Sequence, residues 1–144
     1  MKDKVLVTIR NDQVLAGRET GEEALEVVMT GNCSMEGDTC IVRYTEDLVE
    51  EGDMTALNTV RIEGSSLQVS KTGDVEVDMY FEAGKRSLAV YATPFGEMEM
   101  GISTTFLENS ISEDEICVRV GYALSINGTV TADCRMEMRV ESLL

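Results

Sequence analysis

Hydrophobic residues recur at every second position along most of this chain. In one central stretch they stand at Val75, Val77, Met79 and Phe81, with acidic residues between them. A period of two places successive side chains on opposite faces of a β-strand, so each strand has one dry and one wet face. The pattern predicts about ten strands and no helix, with strands at 4–10, 24–35, 39–46, 54–63, 66–72, 75–81, 88–92, 98–106, 115–126 and 129–140.

Turn lengths indicate how these strands pair, because residues directly opposite in an antiparallel pair lie on the same face. Two-residue turns at 37–38, 64–65 and 84–85 keep hydrophobic residues opposite one another. The predicted pairs are Cys33–Val42, Met35–Cys40, Asn58–Lys71, Val60–Val69, Ile62–Leu67, Phe81–Leu88 and Met79–Val90.

Two other turns need three residues if hydrophobic residues of the paired strands are to lie opposite one another. A loop over 127–129 pairs Leu124 with Ala132, whereas a two-residue Asn127-Gly128 turn sets Leu124 against a threonine. The same loop predicts the pairs Ile126–Val130, Tyr122–Cys134 and Val120–Met136. A loop over 94–96, which holds the only proline of the chain, predicts the pairs Ala92–Met98 and Val90–Met100. We therefore expect Val90, Met100, Val120 and Met136 to point inward.

Strands joined by short hairpins form a meander, and the pattern offers no helix to cover its dry face. A sandwich of two sheets and a closed barrel both bury that face. An even strand number favours the barrel, because the last strand can pair antiparallel with the first and remove both edges. The sequence predicts an all-β, antiparallel up-and-down meander of about ten strands, closed into a barrel as a single domain over residues 1–144. Nine methionines suit the filling of its interior.

Composition narrows the function classes. Twelve Lys and Arg against 27 Asp and Glu give a formal net charge of -15, which repels nucleic-acid phosphates and anionic lipid. We expect neither nucleic acid nor membrane as a partner. The first residues lack the apolar run of a signal peptide, which predicts a cytoplasmic protein. The chain has no histidine, the commonest general base, so catalysis is disfavoured.

The four cysteines stand at 33, 40, 117 and 134 without a CxxC pair. In a reducing compartment this spacing indicates free thiols rather than a metal site or disulfides. The acidic stretches "GEEALE" and "YTEDLVEEGD" do not match an EF-hand loop and are typical of solvated charge. We expect no metal and no cofactor.

The tracts "VLVTIR", "GKRSLAVYATPFGEMEMGIST" and "YALSINGTVTADCRMEMRV" resemble the YwiB-like family of bacterial domains of unknown function. The likeness spans nearly the whole chain, and its most specific part runs from Phe81 to Thr104. The resemblance implies a calycin-like barrel, related in shape to lipocalins and fatty-acid-binding proteins. It brings no established activity and no catalytic residues.

Longer loops collect at one end of the predicted barrel, which has the segment 11–21, the loop 47–53 and the turns at 72–74, 94–96 and 127–129. We predict ligand-binding residues at this end and on the wall beneath it: Tyr44, Asn58, Lys71, Phe95 and Tyr122. Lys71 is predicted to meet an anionic head such as a carboxylate. The alternative is a strand-end lysine that reaches water.

Three function classes follow from these features. The first is a non-enzymatic protein that holds a small, apolar or amphipathic ligand in its barrel. The second is an interaction module whose acidic surface binds a basic protein or forms a homodimer. An enzyme ranks last.

Overall fold

The computed structural model describes residues 3–15, 22–47 and 54–143, which form ten antiparallel strands in one sheet. The strands are β1 (Asp3–Leu15), β2 (Glu22–Glu36), β3 (Thr39–Asp47), β4 (Thr55–Glu63), β5 (Ser66–Gly73), β6 (Val77–Glu82), β7 (Arg86–Thr93), β8 (Gly96–Ile111), β9 (Glu115–Ile126) and β10 (Thr129–Ser142). Strands adjacent in sequence pair with each other except β6 and β7, and β10 pairs with β1. The predicted all-β, antiparallel barrel is confirmed, and it is nearly closed.

The break in the ladder lies between β6 and β7, and we call it the seam. Backbone hydrogen bonds close the seam near both of its ends. At one end Glu76 and Ala92 exchange two backbone hydrogen bonds of 2.9 Å. At the other, the Gly84 amide donates to the carbonyl oxygen of Thr104 on β8 over 2.9 Å. Between these points β6 and β7 do not form a ladder, so the barrel wall has a slit.

Most of the predicted registers are confirmed. The pairs Cys33–Val42, Met35–Cys40, Asn58–Lys71, Val60–Val69, Ile62–Leu67, Leu124–Ala132, Tyr122–Cys134 and Val120–Met136 all lie directly opposite each other. Their inward-facing members build one core with residues of β1 and β10, among them Val7 and Met138. Turn lengths, combined with the alternation of hydrophobic residues, therefore predicted most of the core residues correctly.

The turn between β9 and β10 differs from its prediction. It is the two-residue Asn127-Gly128 turn, and Ile126 lies opposite Thr129 instead of Val130. A bulge between Val130 and Ala132 then takes up the extra residue and restores the predicted pairing beyond it. The prediction had the register of the strands right but placed the extra residue in the loop.

The prediction for β7 was wrong. Its turn to β8 consists of Pro94 and Phe95 alone, so Val90 lies opposite Glu99 and Met100 lies opposite Ala89. Pairing with β9 fixes which face of β8 points inward, and a turn shorter by one residue reverses the faces of β7. The side chain of Val90 is 53% exposed on the outer surface, whereas Ala89 is buried.

The predicted hairpin pairing of Phe81 with Leu88 and of Met79 with Val90 was wrong for the same reason. Phe81 is buried in the core, but Leu88 is 63% exposed on the outside. Because these residues flank the seam, no continuous ladder imposes a common face on them.

Candidate functional site

The barrel is forked between β2 and β3. These strands pair only up to Gly31 and Tyr44, and the earlier part of β2 pairs with β1 alone. A side chain at Gly31 would collide with the carbonyl oxygen of Arg43, so the close approach of the two backbones at the fork requires glycine. Beyond the fork, Leu25 and Val27 lie on the inward-facing parity, yet they are 63% and 39% exposed.

A cavity of about 1030 Å³ opens at this fork. Its volume is at the upper end of the range common for small-molecule sites. Its inner part is apolar and its mouth carries polar groups. The lining residues are Ile9, Asn11, Gln13, Leu25, Val27, Val28, Met29, Tyr44, Thr45, Glu46, Asp47, Val60, Val69, Lys71, Met79, Phe81, Tyr122, Met136 and Met138.

Two aromatic rings form part of the inner wall. Phe81 and Tyr122 meet edge to face, with ring centroids 5.0 Å apart and planes inclined by 62°. Tyr122 also contacts the thiol of Cys134, its neighbour across β9 and β10. Burial raises the pKa of the Tyr122 phenol well above its ordinary value, so the phenol is neutral at physiological pH.

Glu46, Asn58 and Lys71, which we call the polar cluster, meet at the mouth. Lys71 Nζ donates to Glu46 Oε1 over 2.7 Å and to Asn58 Oδ1 over 2.8 Å. Asn58 Nδ2 donates to the same Glu46 oxygen over 3.2 Å. The three residues come from neighbouring strands β3, β4 and β5, whose registers bring them side by side.

Sequence reasoning missed Glu46 because it treated the surrounding acidic stretch as solvated charge. The signal was present: Glu46 shares the inward parity of Cys40, Val42 and Tyr44 on β3. The negative charge of Glu46 also acts on residues outside the polar cluster. Burial, and secondarily the negative charge of Glu46, raise the pKa values of the Tyr44 and Tyr91 phenols.

Four of the five predicted site residues lie together. Tyr44, Lys71 and Tyr122 line the cavity, and Asn58, which has no exposed surface, holds Lys71 in place. Phe95 lies apart from them: its side chain is 90% exposed on the turn after β7 and does not line the cavity. Of the loops predicted at this end, residues 16–21 and 48–53 lie outside the described residues.

The cysteines are free thiols. Cys33 and Cys40 are buried with their Sγ atoms 3.4 Å apart, and burial is the main cause that raises the pKa of Cys40 to about 12. Burial also raises the pKa of Cys117 and of Cys134. The described residues contain no group of three His, Cys, Asp or Glu side chains placed to hold a metal ion. Within the same residues no helix has the length and apolar character needed to cross a membrane.

A second groove, of about 560 Å³, lies along the seam. One wall is formed by β6, with Asp78, and by Glu76 just before it, and the other by β7, with Leu88 and Val90. The exposed apolar side chains thus face a strand that carries negative charge.

Comparison with known proteins agrees with this architecture. A family model described as "Domain of unknown function (DUF1934)" matches residues 7–138. The chain is 23% identical over 127 residues to the "Uncharacterized beta-barrel protein YwiB" of Bacillus subtilis (strain 168), covering 88% of this chain and 86% of that protein. The crystal structure of the ywiB protein from Bacillus subtilis superposes with a TM-score of 0.86 at 18% identity, covering 99% of this chain and 94% of that one. The structural likeness shows a shared fold.

Proposed function

Since this chain belongs to the DUF1934 family of unknown function, we propose a function from its cavity: the protein binds a small, largely apolar molecule inside the barrel. The observation that carries the proposal is the cavity of about 1030 Å³ with an apolar interior and a few polar groups gathered at its mouth. Apolar walls bury a ligand without directional demands, and the polar groups orient it. Lipocalins, which are also antiparallel barrels, hold one small ligand in their interior.

We also propose that the protein acts by binding and not by catalysis, in the cytoplasm. Histidine, the commonest general base, is absent from the sequence. Raised pKa values keep Cys40, Cys117 and Cys134 as thiols at neutral pH, and a thiol is a poor nucleophile compared with a thiolate. Four free cysteines in the structure support a reducing compartment.

The binding proposal is tested with an uncharged fluorophore such as Nile red, whose emission rises in apolar surroundings. Met79 lines the cavity, so Met79→Trp fills part of it and is expected to weaken binding several-fold. Leu57 is 45% exposed on the outer surface, and Leu57→Trp is the matched control that leaves binding unchanged. Equal binding by both variants would place the fluorophore outside the cavity.

Native mass spectrometry of protein purified from its own source provides an independent measurement. We expect a retained small molecule that is released on unfolding. The same spectrum reports the oligomeric state, which bears on the second candidate function.

The seam favours that second candidate, an interaction module. Its groove combines exposed Leu88 and Val90 with the carboxylates of Glu76 and Asp78, a surface suited to an extended basic segment of another protein. The Ser87 hydroxyl donates to the Tyr80 carbonyl oxygen over 2.7 Å and bridges the slit in part. If basic peptides bind the native protein and not Leu88→Ser, while Nile red fails to bind, this function replaces the first.

A further inference from the structure

The polar cluster determines which head group the cavity accepts. Lys71 is the one cation among the described residues that line the cavity, and its ammonium group already bonds to Glu46 Oε1 and Asn58 Oδ1. Its side chain is 16% exposed. These two hydrogen bonds use two of its three donors. An anion arriving at Lys71 therefore meets a compensated charge with a carboxylate beside it.

Glu46, in contrast to Lys71, has an oxygen atom that can still accept a hydrogen bond from a ligand. Both hydrogen bonds that it receives end at Oε1, and from the described residues none reaches Oε2. The Glu46 side chain is 35% exposed and forms part of the cavity wall. A donor on a ligand can reach this oxygen without breaking the polar cluster.

The net charge of the lining residues also disfavours an anionic ligand. Among the described residues of the lining, Glu46 and Asp47 contribute two negative charges and Lys71 one positive charge, which gives a net charge of -1, and the others are uncharged. The rings of Tyr44 and Tyr122 add faces of negative potential, which attract cations. The charged residues of the lining and the tyrosine rings therefore both disfavour the binding of an anion.

We propose that the ligand of this cavity is an amphiphile with a protonated amine as its head, and that Glu46 Oε2 accepts a hydrogen bond from that amine. The inference rests on the proposed ligand-binding function and adds the chemical class. The apolar chain lies against the inner wall formed by Val60, Val69 and Met79. Lys71 is then a positioning residue that holds Glu46 in place, not the group that recognises the head.

Three probes of one chain length test the charge preference at neutral pH: decylammonium, decanol and decanoate, each kept monomeric and each titrated by calorimetry. A charge-assisted hydrogen bond is stronger than a neutral one, so decylammonium should bind about tenfold more tightly than decanol. Decanoate should bind most weakly, because it meets a carboxylate.

Glu46→Gln is expected to change this order. The variant removes the recognising charge and frees Lys71 from its partner, so decylammonium loses affinity and decanoate gains it. Glu108→Gln is the matched control, because Glu108 is an exposed partner of Arg119 outside the cavity and its loss changes the net charge equally. The control should keep the native order. If Glu46→Gln does not fold, the double variant with Lys71→Met leaves neither charge unpaired, and there decylammonium should lose its advantage over decanol.

The outcomes separate the two proposals. Decanoate or decanol binding the native protein as tightly as decylammonium would overturn the amine head while leaving ligand binding intact. An unchanged preference in Glu46→Gln, or in the double variant, would overturn the role of Glu46. Failure of Nile red and of all three amphiphiles to bind would overturn the proposed function, and the amine inference with it.

Discussion

Replacing Asn58 by leucine removes the amide from the centre of the polar cluster while keeping a side chain of similar shape. Asn58 has no exposed surface, accepts a hydrogen bond from Lys71 Nζ over 2.8 Å and donates one to Glu46 Oε1 over 3.2 Å. Asn58→Leu leaves both charged partners in place without these bonds. We expect a less stable protein with the same fold.

The magnitude follows from the two bonds. A hydrogen bond to a charged group contributes about 1.5–3 kcal/mol. Lys71 and Glu46 are 16% and 35% exposed, so water from the mouth replaces part of what is lost. The sum is then about 2–4 kcal/mol in the free energy of unfolding. With a urea dependence of about 2 kcal/mol per molar, the unfolding midpoint falls by roughly 1–2 M.

Urea unfolding followed by far-ultraviolet circular dichroism measures this change. Asn32→Leu is the control, because Asn32 is an exposed residue of β2 to whose side chain no described residue forms a hydrogen bond, and it should stay within about 0.5 kcal/mol of the native protein. If Asn58→Leu unfolds at the same midpoint as Asn32→Leu, the polar cluster contributes nothing to stability and the reasoning fails. A lowered midpoint with an altered slope would indicate a changed denatured state instead.

Three further predictions concern the thiols, a close contact in the wall and alkaline pH. In denaturant without reductant all four thiols should react with a disulfide reagent, and in the folded protein the partly exposed Cys117 should react first; fewer than four would contradict free cysteines. Gly121→Ala should cost about 1–3 kcal/mol because the new methyl group collides with the Phe106 ring, and an equal loss in a Phe106→Leu background would refute that cause. Burial raises the pKa values of Tyr44 and Tyr122, so the stability they contribute is fully present below the ordinary tyrosine value and is lost as pH rises above it; a urea midpoint unchanged from neutral pH to above pH 10 would contradict this.

The sequence by itself determined the strands and most of their pairing. Alternation identified the dry face of each strand, and short turns carried that face to the next strand, as with Val60 opposite Val69 and Val120 opposite Met136. This works because a slip of one residue moves every hydrophobic side chain of a strand to the wrong face. It also placed Asn58 opposite Lys71, and so predicted two of the three residues of the polar cluster.

Only the tertiary structure decided where the ring of strands opens. The alternation of Leu88 and Val90 is the same whether they face the core or the solvent, and at the seam no second neighbour fixes the choice. The fork at Gly31 likewise depends on how two backbones approach across the sheet. The pairing of Glu46 with Lys71 joins residues 25 positions apart, and the wall that buries them is built from strands spread along the whole chain. Local pattern assigns a residue to a face, but the closure of ten strands determines what that face meets.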